Sequence, residues 1–447
     1  MRTHVMTYKL LPLVWLWPAL LPGQTNADLK QVLERLDRLE RQNQLLLEEV
    51  RALRAQVGAT RTPAPAEETL AIQARRTEEL AQVKVEAANR FPLRVTGMAL
   101  FNARWNSAGA SYGGAYSESP VTAPVSGYAT AGATLRQSII GLEFQGPRTV
   151  WGGKVRGSLN MDFYAGSGSS LDSVFRLRTG SLEVDWKDRS ILVGQEKPII
   201  APRDPSSLAQ VGVSPLTGAG NLWLWQPQVR FEQRLALGEQ TGLRAQVGVY
   251  QTSEASAALP ASYQSSLESA RPALQGRFEL WHGFGGGRRI EIAPGFHTSS
   301  THVAQTSVPS SLFSLDWFAN PWTRLEFTGA FFSGQNLANL GTGLRQGFTI
   351  LGRGSAIPVH ARGGWAQAAL SATPRLTFHF FTGQHDDRNA DLRPGGIAKN
   401  QAYGANFFYR LAPNVLAGLE ASQTRTTYLG SGNRLNRHYD VALAYLF

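Results

Sequence analysis

The sequence predicts an all-β transmembrane protein: a 16-stranded antiparallel outer-membrane β-barrel over residues 91–447, preceded by an N-terminal α-helical coiled-coil segment. Three observations lead there. In the last ten residues Phe447, Tyr445, Leu443, Val441 and Tyr439 alternate with Leu446, Ala444, Ala442 and Asp440, a period of two that gives one strand face fit for lipid. Beyond the first residues no stretch of ~20 apolar residues occurs, so any crossing of a bilayer has to be made by strands. Tight links also alternate with long Gly/Ser-rich segments, the rim asymmetry of an outer-membrane barrel.

The N-terminal ninety residues divide into three parts. Arg2 and Lys9 precede a short apolar run from Leu10 to Leu21, and Thr25-Asn26-Ala27 supplies small residues at cleavage spacing, so residues 1–27 read as a signal peptide. Residues 28–57 carry heptads, with Leu29, Leu36, Asn43, Val50 and Val57 at a and Val32, Leu39, Leu46 and Leu53 at d. A single Asn at an a site sets register, and Leu33 and Leu47 at e widen the stripe beyond a dimer seam, although Val at a with Leu at d also suits a pair. Gly58 to Ala66, with Pro63 and Pro65, ends the helix, and a weaker helical stripe with Leu70, Leu80 and Val83 completes a linker over 58–90.

From residue 91 the alternation places strands at 92–105, 134–145, 153–164, 174–186, 189–195, 223–237, 242–251, 273–281, 289–298, 312–319, 323–332, 364–372, 375–384, 402–411, 414–426 and 436–447. The number is even, as bacterial barrels require; a further hairpin near 345–352 would raise it to eighteen. Lys187-Asp188, Asn320-Pro321, Thr373-Pro374 and Ala412-Pro413 make short turns, opposed by long segments such as 106–133, 196–222, 252–272, 333–363 and 385–401. The faces separate cleanly. Trp223, Trp225, Val229, Phe231, Leu235 and Leu237 oppose Gln226, Gln228, Arg230, Glu232 and Arg234, and the strands beginning at Gly242 and Ala273 repeat the division.

Composition excludes several classes of function. With no cysteine, no disulfide, thiolate nucleophile or Cys-ligated metal exists. The motifs of zinc hydrolases, serine hydrolases and phosphate-cradling loops are absent, so neither catalysis nor a cofactor or metal is expected. His385-Asp386-Asp387 lacks the further acidic partners of a barrel protease. Residues 91–447 carry 31 basic against 22 acidic side chains, and Lys154, Lys187, Lys197 and Lys399 are the lysines there. Without a basic helix or recognisable module, nucleic acid is not a partner. A positive interior that attracts small anions accounts for the surplus.

The loop from Glu196 to Leu222 combines Pro198, Pro202, Pro205 and Pro215 with three glycines, a segment stiffened and turned so that it folds back into a lumen. Lys197 and Arg203 would then set the field for passing solutes. Arg176, Arg178, Arg230, Arg234, Arg244 and Arg277 share the inward parity, and each presents a planar fork matched to carboxylate. Any one of them has a second expected role, bracing the wall against a neighbouring carboxylate such as Glu232 or Glu279.

Three stretches carry a family resemblance: Arg176-Leu-Arg-Thr-Gly-Ser-Leu-Glu183, Leu192-Val-Gly-Gln195 before the long loop, and Gln226-Pro-Gln-Val-Arg-Phe231 after it. With the order signal, coiled coil, linker, barrel and terminal Phe, the chain resembles the coiled-coil-bearing trimeric porins of the DcaP-like family. The resemblance implies a homotrimer in outer-membrane lipid, with the coiled coil in the periplasm and Phe447 read by the outer-membrane assembly machinery. It implies passive passage of small anionic solutes such as dicarboxylates, with Arg176, Arg178 and Arg230 beside Lys197 and Arg203 at the constriction. This chain has Glu196-Lys197 where the family often shows Trp. The alternative expectation is a structural anchor whose coiled coil engages the cell envelope.

Overall fold

The computed structural model describes residues 93–447 except 110–117, 150, 167–172, 257–258 and 343; the expected signal, heptads and linker, with the positions from Leu29 to Leu53, lie outside the described residues. Among the described residues the strands are β1 (Leu93–Gly109), β2 (Tyr128–Thr134), β3 (Ile139–Arg148), β4 (Lys154–Ala165), β5 (Val174–Asp185), β6 (Arg189–Glu196), β7 (Gln226–Ala236), β8 (Thr241–Gln251), β9 (Pro272–Gly285) and β10 (Arg288–Val303). They continue with β11 (Thr306–Trp322), β12 (Leu325–Gln335), β13 (Phe348–Gly352), β14 (Ser355–Pro358), β15 (His360–Thr373), β16 (Leu376–Asp387), β17 (Ile397–Ala412), β18 (Val415–Tyr428) and β19 (Gly432–Leu446).

Each wall strand pairs antiparallel with its neighbours, and β1 pairs with β19 from Met98↔Leu446 to Asn106↔His438, which closes the cylinder. β2 and β3 both lie along β1 and form one interrupted stave. The pair β13–β14 stands apart as its own hairpin, so the extra hairpin considered near 345–352 exists but does not enter the wall, and the wall has sixteen members. Closure satisfies every ladder without a free edge, the condition for strands in hydrocarbon. No helix among the described residues is long and apolar enough to cross a membrane.

Side-chain alternation follows the sequence reading. Val229, Phe231, Val247, Val249, Phe278 and Leu280 are exposed on the outer face, while Gln246, Gln275, Arg277 and Glu279 are buried on the inner one. On β19 Tyr439, Val441, Leu443 and Tyr445 face out, and Asp440, Ala442 and Ala444 face in. The Phe447 N–H donates to Gly97 O at 3.1 Å, and Gly97 N–H donates back at 2.9 Å. Hydrophobic residues outside and polar residues inside invert the arrangement of a sandwich.

Three local readings change. The strand read from Trp223 begins at Gln226; Trp223 is buried against Tyr164 and Val213, not lipid-facing, because the preceding loop stays inside the barrel. The stave read as 134–145 breaks at 135–138, where consecutive Arg136 and Gln137 both turn inward, which unbroken alternation forbids. Residues 299–311 continue β10 and β11 as a protruding hairpin, turned by Ala304 and Gln305 at φ 51° and 62°. This is the primed two-residue turn that matches strand twist. Val303, Ala304 and Val308 pack it onto Phe348 and Ile350.

The outward parity generates a direct test. Val247→Arg should destabilise the folded barrel in lipid vesicles by about 2–4 kcal/mol, the cost of a cation on a lipid-facing strand, as measured by denaturant-dependent refolding; an unchanged midpoint would mean that this face is not lipid-facing.

Candidate functional site inside the barrel

Residues 197–225 leave β6 and return at β7 after a circuit of the interior. Ile200 and Leu222 pack with Leu312, Phe332 and Ala361. Leu208 packs with Leu100, Ala442 and Ala444, and Leu216 and Ala219 pack on Trp365, Phe381 and Ala402. Each of these buried leucines contributes on the order of 1.5–3 kcal/mol. The loop thus lies against inner faces contributed by both ends of the barrel sequence.

Polar clasps hold its backbone between these apolar anchors. Asn102 Nδ2 donates to Leu208 O at 2.9 Å, Asn406 Nδ2 to Ser206 O at 2.8 Å, and Asn400 Nδ2 to Gly218 O at 2.8 Å. Gln137 grips from both ends of its amide: Nε2 donates to Ala209 O at 2.9 Å, and Oε1 accepts from Val211 N and Gly212 N at 2.8 Å each. The break in the second stave is what aims Gln137 at the loop. Two glycines allow close approach. A Cβ on Gly212 would meet the Tyr164 ring at 2.1 Å, and one on Gly220, at φ +102°, would meet Gly364 O at 2.2 Å. Asn221 Nδ2 donates to Asp204 Oδ1 at 3.1 Å, tying the returning limb to the outgoing one.

Two groups of cations meet at this loop, the second including Arg203 of the loop itself. In the first, Arg176 and Arg178 share Asp162, with nitrogen–oxygen distances of 2.6 and 2.8 Å, and both guanidinium groups lie over the Trp225 ring at 5.1 and 4.6 Å. Arg178 Nη1 also donates to Val211 O at 2.7 Å. In the second, Arg203 pairs with Glu291 and with Asp316 at 2.6 Å, Arg277 bridges Asp316 and Glu279 at 2.7 Å, and Arg244 joins Glu279. Lys197 pairs with Asp204 within the loop.

The layering within these groups matters more than their net charge. Arg176 and Arg178 are 25% and 16% exposed above an Asp162 at 0%. Arg203 is 22% exposed above an Asp316 at 1%, and Arg244 35% above a Glu279 at 5%. In each of these pairs the carboxylate is the deeply buried partner and the guanidinium the more exposed one. Asp204 is the partly exposed exception.

The cations singled out in the sequence therefore divide. Arg176, Arg178, Lys197 and Arg203 gather around the loop. Arg277 is fully buried and cannot line a water-filled passage; as a member of a buried pair it braces the wall. Arg234 lies near the short turn, where it pairs with Asp185 and its backbone N–H donates to Asp188 O; Arg244, directly opposite it across strands, shares Glu279 with Arg277 and belongs to the second group. Arg230 has the inward parity and no ion-pair partner among the described residues. Sequence parity named Glu279 as a brace but passed over the carboxylates Asp162, Glu291 and Asp316 and the clasp Gln137, and it assigned Trp225 to the lipid face, whereas its ring stacks with Arg176 and Arg178. Glu279, two positions after Arg277 on one face, was the signal available for the network.

No protein-family model and no curated protein sequence matches the chain. Solved structures do. The outer membrane channel DcaP of Acinetobacter baumannii matches with a TM-score of 0.66 at 16% identity, covering 79% of this chain and 97% of that one. The anion-selective porin from Comamonas acidovorans gives 0.52 at 10% identity over 79% and 99%, and Pseudomonas putida OprB gives 0.50 at 9% over 83% and 97%. The chain shares the 16-stranded barrel fold of outer-membrane porins.

Removing the two-ended clasp should free the loop locally. In Gln137→Ala each lost partner costs about 1–3 kcal/mol, so the amides of Val211 and Gly212 should exchange with solvent at least roughly tenfold faster; hydrogen–deuterium exchange at unchanged rate would show that the loop is held without Gln137.

Proposed function

We propose that this protein is an outer-membrane porin, a passive diffusion channel for small hydrophilic solutes with a preference for anions such as dicarboxylates. The fold supports the channel role, and the layering of carboxylates beneath partly exposed guanidinium groups carries the anion preference. In a narrow passage of lowered dielectric, one unit charge a few ångströms from a solute contributes on the order of 1–4 kcal/mol. Two cationic groups meet at the loop, Arg176 with Arg178 from β5 and Arg203 of the loop itself with its wall partners, and a solute bearing two carboxylates suits a path that offers two such groups. Arg230, with its inward parity, adds to the field. No bond-making chemistry is assigned to these residues, so the protein is not an enzyme in this reading.

The assembly belongs to the same proposal. The heptads at Leu29, Val32, Leu36, Leu39, Asn43, Leu46, Val50 and Leu53 join three copies in the periplasm, residues 1–27 direct export, and the alternating end at Phe447 engages the assembly machinery. The barrels sit in outer-membrane lipid. Chemical cross-linking of the detergent-extracted protein should give a ladder that stops at three copies; a ladder stopping at two would remove the trimer.

Arg203→Ala removes a cation and leaves Glu291 and Asp316 with one partner fewer, so the local field falls by more than the lost charge alone. Under a potassium chloride gradient in planar bilayers the reversal potential should move toward cations, with the anion/cation permeability ratio falling roughly threefold to fivefold. An unchanged ratio would take Arg203 out of the conducting path. A barrel that carries no current at all would leave the anchor reading.

A further inference from the structure

The outer wall is not uniformly apolar. On β6–β9 the cross-strand row Val193, Val229, Val249 and Leu274 continues the apolar face toward the ends of the strands that lead into the long loops. On β15–β18 the corresponding ends of the strands are charged. Arg362, Asp386 and Lys399 stand directly opposite one another in one row, and Gln384, Gln401 and Arg425 in the next. All six have the outward parity: Arg362 and Arg425 are exposed and the others half-exposed, while their chain neighbours Ala361, Asp387, Asn400 and Thr426 are buried inside.

These rows form the lip of a groove of about 770 Å³. Its floor is flat because Gly364 and Ala366 carry little or no side chain, and its apolar sides come from Trp317, Phe331 and Tyr403. Charge at the lip is unbalanced. Arg362 and Lys399 reach the same Asp386 at 3.6 and 3.8 Å, too long for tight pairs, and among the described residues Arg425 has no carboxylate within ion-pair distance. Three cations therefore face one carboxylate. Gln384 and Gln401 join each other at 2.9 Å and fill the row between them.

We propose that this groove is a binding site for a phosphate-bearing lipid of the leaflet on the long-loop side, with the phosphate held by Arg362, Lys399 and Arg425 and an acyl chain laid along Gly364 and Ala366. The geometry favours an amphiphile over a free anion, since cations and apolar floor belong to one continuous depression. Guanidinium forks suit phosphate oxygens, and a cation close to a membrane surface contributes about 1 kcal/mol toward an anionic headgroup. The site faces away from the lumen, so it requires only that the wall stands in lipid and is independent of whether the channel prefers anions.

The full chain in detergent, examined by native mass spectrometry with dipalmitoylphosphatidic acid, dipalmitoylphosphatidylcholine and inorganic phosphate as separate probes, tests it. Phosphatidic acid should be retained and the other two not, and Arg362→Gln/Lys399→Gln/Arg425→Gln should lower that retention roughly tenfold or more. Ala366→Trp, which fills the floor and leaves every cation, should lower it as well. Bilayer conductance of both variants should match the parent, which shows that they fold and separates this test from that of the channel. Equal retention by the triple variant, inorganic phosphate displacing the lipid at equal concentration, or a fall in copy number with lipid retention unchanged would each overturn the proposal, the last by making the face a contact between copies.

Discussion

The requirement that no backbone hydrogen-bonding group be left unpaired in hydrocarbon governs this molecule. A row of open N–H and C=O groups on a lipid-exposed edge is untenable, so β1 has to find β19, and the whole sequence from Leu93 onward is arranged around that pairing. Once the sheet closes, alternation leaves no choice about faces. Every other residue belongs to lipid and the rest to the interior, and the interior is then free to be as polar as its function demands. The exposed Phe231 and the buried Gln246 are two results of one geometric condition.

Within the cylinder, the loop between β6 and β7 converts a wall into a site. It is held by apolar anchors that have no water to exclude them and by amides that satisfy its irregular backbone, so a segment without regular structure occupies a defined path. Burying irregular backbone is costly unless its polar groups find partners. Asn102 on β1, Gln137 at the break between β2 and β3, and Asn400 and Asn406 on β17 are those partners. The same path places Trp225 beneath Arg176 and Arg178, where an aromatic face spreads two neighbouring positive charges over a favourable surface.

The fold was legible in the sequence because period-two alternation is a local property. Phe231 with Arg230, or Leu274 with Gln275, declare their faces without reference to any other strand. Readings that relied on extending the pattern failed where it breaks. Trp223 and Trp225 keep the parity of the strand that follows, yet belong to the loop; at 135–138 two adjacent side chains point the same way; and the Ser, Thr and His residues of 299–311 offer no apolar face by which to recognise a strand. The site was legible only as a kind of charge. Which arginines stand near the passage depends on the stagger between strands and on which carboxylate each one meets, and neither Asp316 beneath Arg203 nor Asp162 beneath Arg176 is close to its partner along the chain.

A hollow tube squeezed by the lateral pressure of a bilayer tends to flatten, and a ring of hydrogen bonds alone opposes that only weakly. Here a covalent strap is fastened to the inside at many points around the circumference, reaching from Asn102 near one seam to Tyr250, Asp316 and Asn406 elsewhere. Ovalising the tube would stretch that strap in one direction and buckle it in the other. The width of the tube is thereby tied to a fixed length of polypeptide as well as to the compliance of the sheet.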